Sequence, residues 1–227
     1  MLMSLLKHLV STAGRKVRFT DYYNRNHWAD SESRSGAGSR RDSRQVQHAL
    51  ATLAAITECY AIRTIADVPC GDFNWIGAYL DAHPGVAYVG FDIVAKLVER
   101  NRRTFPARRF AELDIVTSVP PPSDLIFCKD LINHLEEGEI VQAVANMRRS
   151  RSKYLLATNN FGIPNSRLKR GRYISSRHVD LTLAPYFYDK PLWHDHYFGL
   201  WLLADMERRP PSSWMPEWIA PANDRTP

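Results

Sequence analysis

Apolar and polar positions alternate along this chain in a way that divides it into short strands separated by helices. Between Thr64 and Asn159, runs with the length and β-branched or aromatic content of buried strands fall at Thr64–Val68, Ala87–Asp92, Arg109–Asp114, Leu125–Lys129 and Tyr154–Asn159. The residues between them carry apolar positions at helical spacing and predict helices starting at Asn74, Ala95 and Glu136. Ahead of the first strand, Val46, Ala49, Leu50, Leu53 and Ile56 form one helical face, with Asp42 or Ser43 placed as its cap. Strands that alternate with helices imply a parallel sheet covered on both faces. The late apolar run Phe198–Leu203 predicts a further strand. The irregular polar stretch before it is expected over the carboxyl edge of the sheet, as a lid or substrate wall.

The flanks read differently. Met1–Val10 is apolar but interrupted by Lys7 and His8, which suits an amphipathic helix or a loose terminus and is too short to span a bilayer. Residues 11–41 are polar and turn-rich, and the glycine and serine cluster Ser31–Ser39 reads by composition as a flexible linker. A proline-rich tail, 210–227, is expected to pack loosely through Trp214 and Trp218. The organisation predicted is therefore an N-terminal segment (1–41), one α/β domain (42–209) and a tail (210–227). A chain of 227 residues, 44% of them hydrophobic, has enough apolar surface for one such core.

Composition narrows the function classes. Cys59, Cys70 and Cys128 have neither paired spacing nor a CxxC pattern, which disfavours a disulfide framework or a zinc site and points to a reducing, cytoplasmic location. The net charge of +6 is spread over separate clusters, such as Arg100, Arg102 and Arg103, or Arg148, Arg149 and Arg151. Dispersed clusters argue against one nucleic-acid stripe, so nucleic acid is an unfavoured partner.

Candidate chemistry gathers at strand ends. At Asp67-Val68-Pro69-Cys70-Gly71-Asp72-Phe73-Asn74-Trp75 the first strand breaks into a tight acidic turn and restarts as a helix. The turn lacks a full G-x-G-x-x-G pattern, and Asp72 at the helix mouth disfavours a diphosphate, so an uncharged or cationic nucleoside suits it better. Asp92 ends the next strand and is placed for a ribose hydroxyl pair, or else caps the following helix. Asp114 ends the third, either as an acceptor for an adenine amino group or as a cap.

These motifs, with Gly90-Phe91-Asp92-Ile93-Val94, Leu113-Asp114-Ile115 and Asp124–Asp130 followed by His134-Leu135, resemble those of class I S-adenosylmethionine-dependent methyltransferases over roughly residues 19–205. Trp28, the segment Glu32–Ser39 and Gly199-Leu200-Trp201 make the chain similar to a bacterial subgroup that includes sugar O-methyltransferases of methylmannose polysaccharide synthesis. The resemblance implies a Rossmann-like, seven-stranded, mostly parallel sheet with helices on both faces. It implies S-adenosyl-L-methionine as cofactor, with Asp67, Cys70 and Gly71 at the methionine, Asp92 and Ile93 at the ribose, and Asp114 with Ile115 at the adenine. Trp28, Ser33 and Gly36 would belong to a loop that closes over the cofactor.

The fourth strand ends in Cys128-Lys129-Asp130-Leu131-Ile132-Asn133-His134, without the Asn/Asp-Pro-Pro-aromatic turn of base-amine methyltransferases, so transfer to oxygen is favoured. His134 is the candidate general base and Asp130 its orienting partner or a ligand for a divalent ion such as Mg²⁺. Asn159, Asn160, Tyr173, His194 and Trp201 form a polar and aromatic set suited to a small saccharide. In His194-Asp195-His196 an extended backbone puts both histidines on one face and Asp195 on the other, so a metal there needs a third group from elsewhere. The expectation is an O-methyltransferase acting on a saccharide hydroxyl, compatible with a homodimer. The rival readings are a protein that binds or methylates RNA and a nicotinamide-dependent oxidoreductase, the latter disfavoured by the missing third glycine.

Overall fold

In the computed structural model, which describes residues 2–166 and 176–211 and side chains from residue 14 onward, seven strands form one sheet. They are β1 (Thr64–Asp67), β2 (Ala87–Asp92), β3 (Arg109–Glu112), β4 (Leu125–Cys128), β5 (Tyr154–Thr158), β6 (Trp193–His194) and β7 (Phe198–Leu202). Their order is β3-β2-β1-β4-β5-β7-β6; the pairs among β1 to β5 are parallel, and β7 runs antiparallel to both β5 and β6. The sequence pattern anticipates every strand except β6, whose two residues are exposed and too few to show a period.

The period of two decides which side of the sheet each residue serves. Ile65, Leu125, Phe127, Tyr154 and Leu156 face a core shared with α2 (Arg44–Cys59), α3 (Ile76–Ala82) and α4 (Ala95–Thr104). Ala66, Ile126, Cys128, Leu155 and Ala157 face the opposite core, built from α5 (Glu137–Arg149) and the late segment through Val179, Leu181 and Tyr186. β4 and β5 are buried along their whole length, as central parallel strands should be. Ser43 caps α2 by accepting from the Val46 amide at 3.1 Å, and Glu136 with Glu139 forms a capping box on α5.

The N-terminal reading needs correction. Helix α1 (Leu2–Arg25) continues through residues read as turn-rich, because Arg15, Phe19 and Tyr22 recur on one face directed at the domain. Arg15 is the decisive residue: its guanidinium is buried and paired with Asp114 at 2.7 Å and with Glu139. A polar composition therefore concealed a helix docked by an ion pair. No helix among the described residues is long and apolar enough to cross a membrane. Tail residues 212–227, including Trp214 and Trp218, and the substrate candidate Tyr173 lie outside the described residues.

Candidate active site

The carboxyl ends of β1, β2 and β4 open onto a cavity of about 580 Å³. Open α/β sheets collect ligands at this edge, where the helices that follow the strands diverge. Of the residues expected at a cofactor or catalytic site, Trp28, Gly36, Asp67, Cys70, Gly71, Asp92, Ile93, Asp130 and His134 all line it.

Asp67 and Asp92 are buried side by side. Asp67 accepts from the Tyr88 hydroxyl at 2.7 Å, and burial, only partly countered by that bond, pushes its carboxyl up to about 7. Burial likewise raises Asp92 to about 6, against the hydrogen bonds it accepts from backbone amides, one of them from Val94 at 2.9 Å. Asp92 thus caps the start of α4 and lines the cavity, so its two readings hold together. Gly71 has φ +51°, and an added Cβ would collide with the side chain of Ser35, so both backbone sign and space call for glycine.

The Ser31–Ser39 segment forms a fixed wall, contrary to its linker composition. Asp72 gathers it by accepting from Ser33 Oγ at 3.0 Å and from the Arg34 amide at 2.9 Å, while Ser35 Oγ accepts from the Asp72 amide at 3.2 Å. Asn74 donates to Glu32 at 2.7 Å and to the Ser39 carbonyl at 3.0 Å. Ser33 is fully buried on Asp72 and does not line the cavity. The acidic turn at the mouth of α3, read as a deterrent to diphosphate, is occupied by this segment.

At the end of β4, Asp130 takes φ +54°, an uncommon conformation for a residue with a side chain. It is held there from three sides: its amide donates to Thr158 Oγ1 at 3.0 Å, and its carboxylate accepts from Tyr197 Oη at 2.8 Å and pairs with Lys129. Lys129 also donates to the Gly38 carbonyl at 3.0 Å. No hydrogen bond joins Asp130 to His134, whose Nδ1 is buried without a partner, so the orienting role expected of Asp130 is absent. Nor does Asp130 fit Mg²⁺, since its carboxylate is already engaged by the Lys129 ammonium and the Tyr197 hydroxyl, donors rather than further oxygen ligands of a dication. His134 packs edge-on to Trp28, and burial holds its imidazole down at about 4, neutral at physiological pH.

Asp114 and Ile115 sit apart from the large cavity. They line an adjoining apolar cleft of about 30 Å³ that shares Phe19, Pro69, Asp92, Ile93 and Leu131 with it, and Asp114 is bound to Arg15. Asp114 Oδ1 also accepts from the Val116 amide at 3.0 Å, which is the capping reading.

A second cavity, about 420 Å³, adjoins the first, sharing Asp130, Asn133, Ser176, His178 and Tyr197 with it. Asn160 lines it. Other proposed sugar contacts serve elsewhere. Asn159 is buried, donating to Asp180 at 3.1 Å and accepting from the Leu181 amide; Trp201 is in the core with its indole donating to the Asp189 carbonyl at 2.9 Å. His194 lies against Phe161, outside both cavities. The alternation expected of His194-Asp195-His196 fails at the turn into β7: Asp195 and His196 converge on His48 of α2, with Asp195 accepting from the Tyr197 and Phe198 amides at 2.7 Å and contacting His48 at 2.8 Å. The sequence analysis gave no role to Tyr197, Asn133, Ser176 or His178, which bridge the two cavities. Tyr197 had a signal, its place beside the flagged His-Asp-His run; the others had none.

No family model matches the chain, and no curated protein does. Solved structures do resemble it. The methyltransferase domain of a bacterial Hen1 protein, CtHen1-C, aligns over 52% of this chain and 70% of its own at 17% identity and a TM-score of 0.45. The PH0226 protein of Pyrococcus horikoshii OT3 aligns over 71% and 92% at 17% identity and 0.49. Human N-acetylserotonin methyltransferase, solved in complex with SAM, aligns over 68% and 53% at 12% identity and 0.48. The sheet order and the single antiparallel strand make this a Rossmann-like fold of the methyltransferase type.

Two outcomes follow from the geometry. Asp72→Ala should speed amide hydrogen exchange across Ser33–Ser39 at least tenfold, because it removes the acceptor of three donors; unchanged exchange would mean that the wall is held elsewhere. Asp67 has a folded-state value raised from 3.8 to about 7, so the stability of its protonated form is full below about 3.8 and is lost as pH rises through about 7. Asp67→Asn escapes that loss, and its denaturant midpoint should gain on the wild type between pH 4 and pH 8. Parallel pH profiles for the two proteins would show that Asp67 does not titrate in this range.

Proposed function

We propose that the chain is an S-adenosylmethionine-dependent O-methyltransferase acting on a hydroxyl of a small, polar acceptor, with a saccharide as the acceptor class. The observation that carries this reading is the pair of adjoining cavities meeting at Asp130, one lined by the β1 and β2 carboxylates and the other by amides, hydroxyls and His178.

The residues of the larger cavity fit the cofactor. Asp92, at the end of β2, is placed to accept from ribose hydroxyls, and Asp67 to accept from the methionine ammonium, which would also draw its raised carboxyl back to the charged form. Gly36 and Gly71 let Trp28 and Ser35 pack against the backbone of the cavity wall, and Trp28 covers the side nearest His134. The apolar cleft beside Ile93, walled on one side by Arg15 and Phe19 of α1, is the extension available to an adenine ring. When bound, S-adenosylmethionine supplies an electrophilic methyl on a sulfonium.

The chain's own residues then have to align the acceptor and remove its proton. A hydroxyl entering from the smaller cavity reaches the larger one past Asp130, Asn133 and Tyr197. His134 is neutral and its Nδ1 has no partner, so it would be the group that takes the proton of the acceptor hydroxyl. Its low basicity is set by burial, and an acceptor hydroxyl hydrogen-bonded to the free Nδ1 supplies the partner it lacks. Asp130, pinned by Lys129 and Tyr197, fixes the floor between the cavities and does not act through the imidazole.

Calorimetry with S-adenosylhomocysteine tests the cofactor half: binding is expected, NAD should not bind, and Asp92→Ala should weaken the interaction by about 1.5–3 kcal/mol. Full affinity in that variant would remove Asp92 from the site. For the chemical half, His134→Ala should retain cofactor affinity while turnover with labelled S-adenosylmethionine falls by about 10²–10⁴-fold. Near-normal turnover at saturating acceptor would exclude His134 as the base.

A further inference from the structure

The smaller cavity contains a buried charge that no carboxylate among the described residues neutralises. Arg177 lines it and is only 8% exposed. Its guanidinium donates to the Ser166 carbonyl at 2.7 Å, the Leu135 carbonyl at 2.8 Å and Tyr186 Oη at 3.0 Å, all uncharged acceptors. Its Nε–H is buried and has no partner. Asp180, three residues along, is engaged by Asn159, Gly162 and Thr182 instead. Among the described residues no carboxylate pairs with Arg177. The connecting residues 167–175, between Ser166 and Ser176 of the cavity wall, contain Arg167, Lys169, Arg170 and Arg172 and no acidic residue, so they hold no counter-ion.

Burying an unpaired cation costs several kcal/mol, and a structure retains such a group where something completes it. The contrast with Arg15 is instructive: equally buried, Arg15 has two carboxylates. From this asymmetry we infer that the acceptor carries an oxyanion, a carboxylate or a phosphate, which binds at Arg177 while its hydroxyl lies at the Asp130 end of the same cavity. Guanidinium is suited to this by its planar array of donors, of which Nε–H is still uncommitted. His178, exposed on the same wall, adds a further donor when protonated. The saccharide class proposed above is thereby narrowed to acidic sugars or sugar phosphates.

This inference rests on the methyltransferase reading for the role of the ligand, but the binding of the anion is measurable without it. The probes are glucuronate, its uncharged methyl ester, glucose 6-phosphate and glucose, titrated calorimetrically into protein saturated with S-adenosylhomocysteine and into protein without it. At least one charged probe should bind tenfold or more tighter than its neutral counterpart, and Arg177→Gln and Arg177→Lys should each reduce that preference. Arg177→Lys keeps the charge and guards against a variant that merely misfolds, and thermal melting verifies that each variant is folded. Equal affinity within both pairs, no binding by any probe, or a charge preference unchanged in a folded Arg177→Gln protein would overturn the assignment. Charged probes that bind to protein with no affinity for S-adenosylhomocysteine would instead defeat the methyltransferase reading and leave the oxyanion site standing.

Discussion

The carboxylate of Asp130 is the point at which the separate parts of the site are joined. It lies at the end of a central buried strand, and its partners come from distant parts of the chain: Lys129 beside it, Tyr197 before β7, and through Lys129 the carbonyl of Gly38. The Lys129 side chain is buried, so leaving either ion unpaired would be costly. The N-terminal wall, the β4 end and the β6–β7 turn are thereby fixed relative to one another. Asp130 adopts its left-handed backbone because these contacts over-determine it, which is how local strain persists.

Much of the fold was legible because strand burial is a local property of sequence. β1, β2, β4 and β5 show it as continuous apolar runs, and Asp67 and Asp92 mark where two of them stop. That the strand-end residues share one cavity was legible for the same reason, since residues at the ends of neighbouring parallel strands must meet. What failed were inferences about segments whose conformation is set by a distant partner. Residues 31–39 look like a linker until Asp72 supplies the acceptors, and α1 looks turn-rich until Asp114 and Glu139 receive Arg15. Periodicity has no term for an ion pair across about a hundred residues of sequence.

The smaller cavity was less legible because its wall is built largely outside the regular elements. Asn159 and Trp201 have the chemistry of sugar contacts, yet each spends its hydrogen-bonding capacity inside the fold. Asn160, one position on from Asn159, also accepts from the following segment, at the Val179 amide 2.9 Å away, yet it lines the smaller cavity. The His194-Asp195-His196 run illustrates the same limit: strict alternation assumes an extended strand, but β6 ends at His194 and the chain turns.

The two cavities also differ in their charged walls. Asp67, Asp72 and Asp92 line the larger one, beside Arg34, and Arg177 lines the smaller one; His178 is common to both, and Asp130 and Lys129 pair at the boundary. On the proposed reading this polarity matches the reactants, a cationic sulfonium on one side and an anionic acceptor on the other. On that reading the two charges are drawn toward opposite ends, and the reactants meet at residues both cavities share, among them Asp130 and Tyr197. On the same reading Asp67 and Asp92 would hold groups that the product keeps, the ammonium and the ribose hydroxyls, so the partners that offset the burial of these raised carboxyls would be the same before and after transfer.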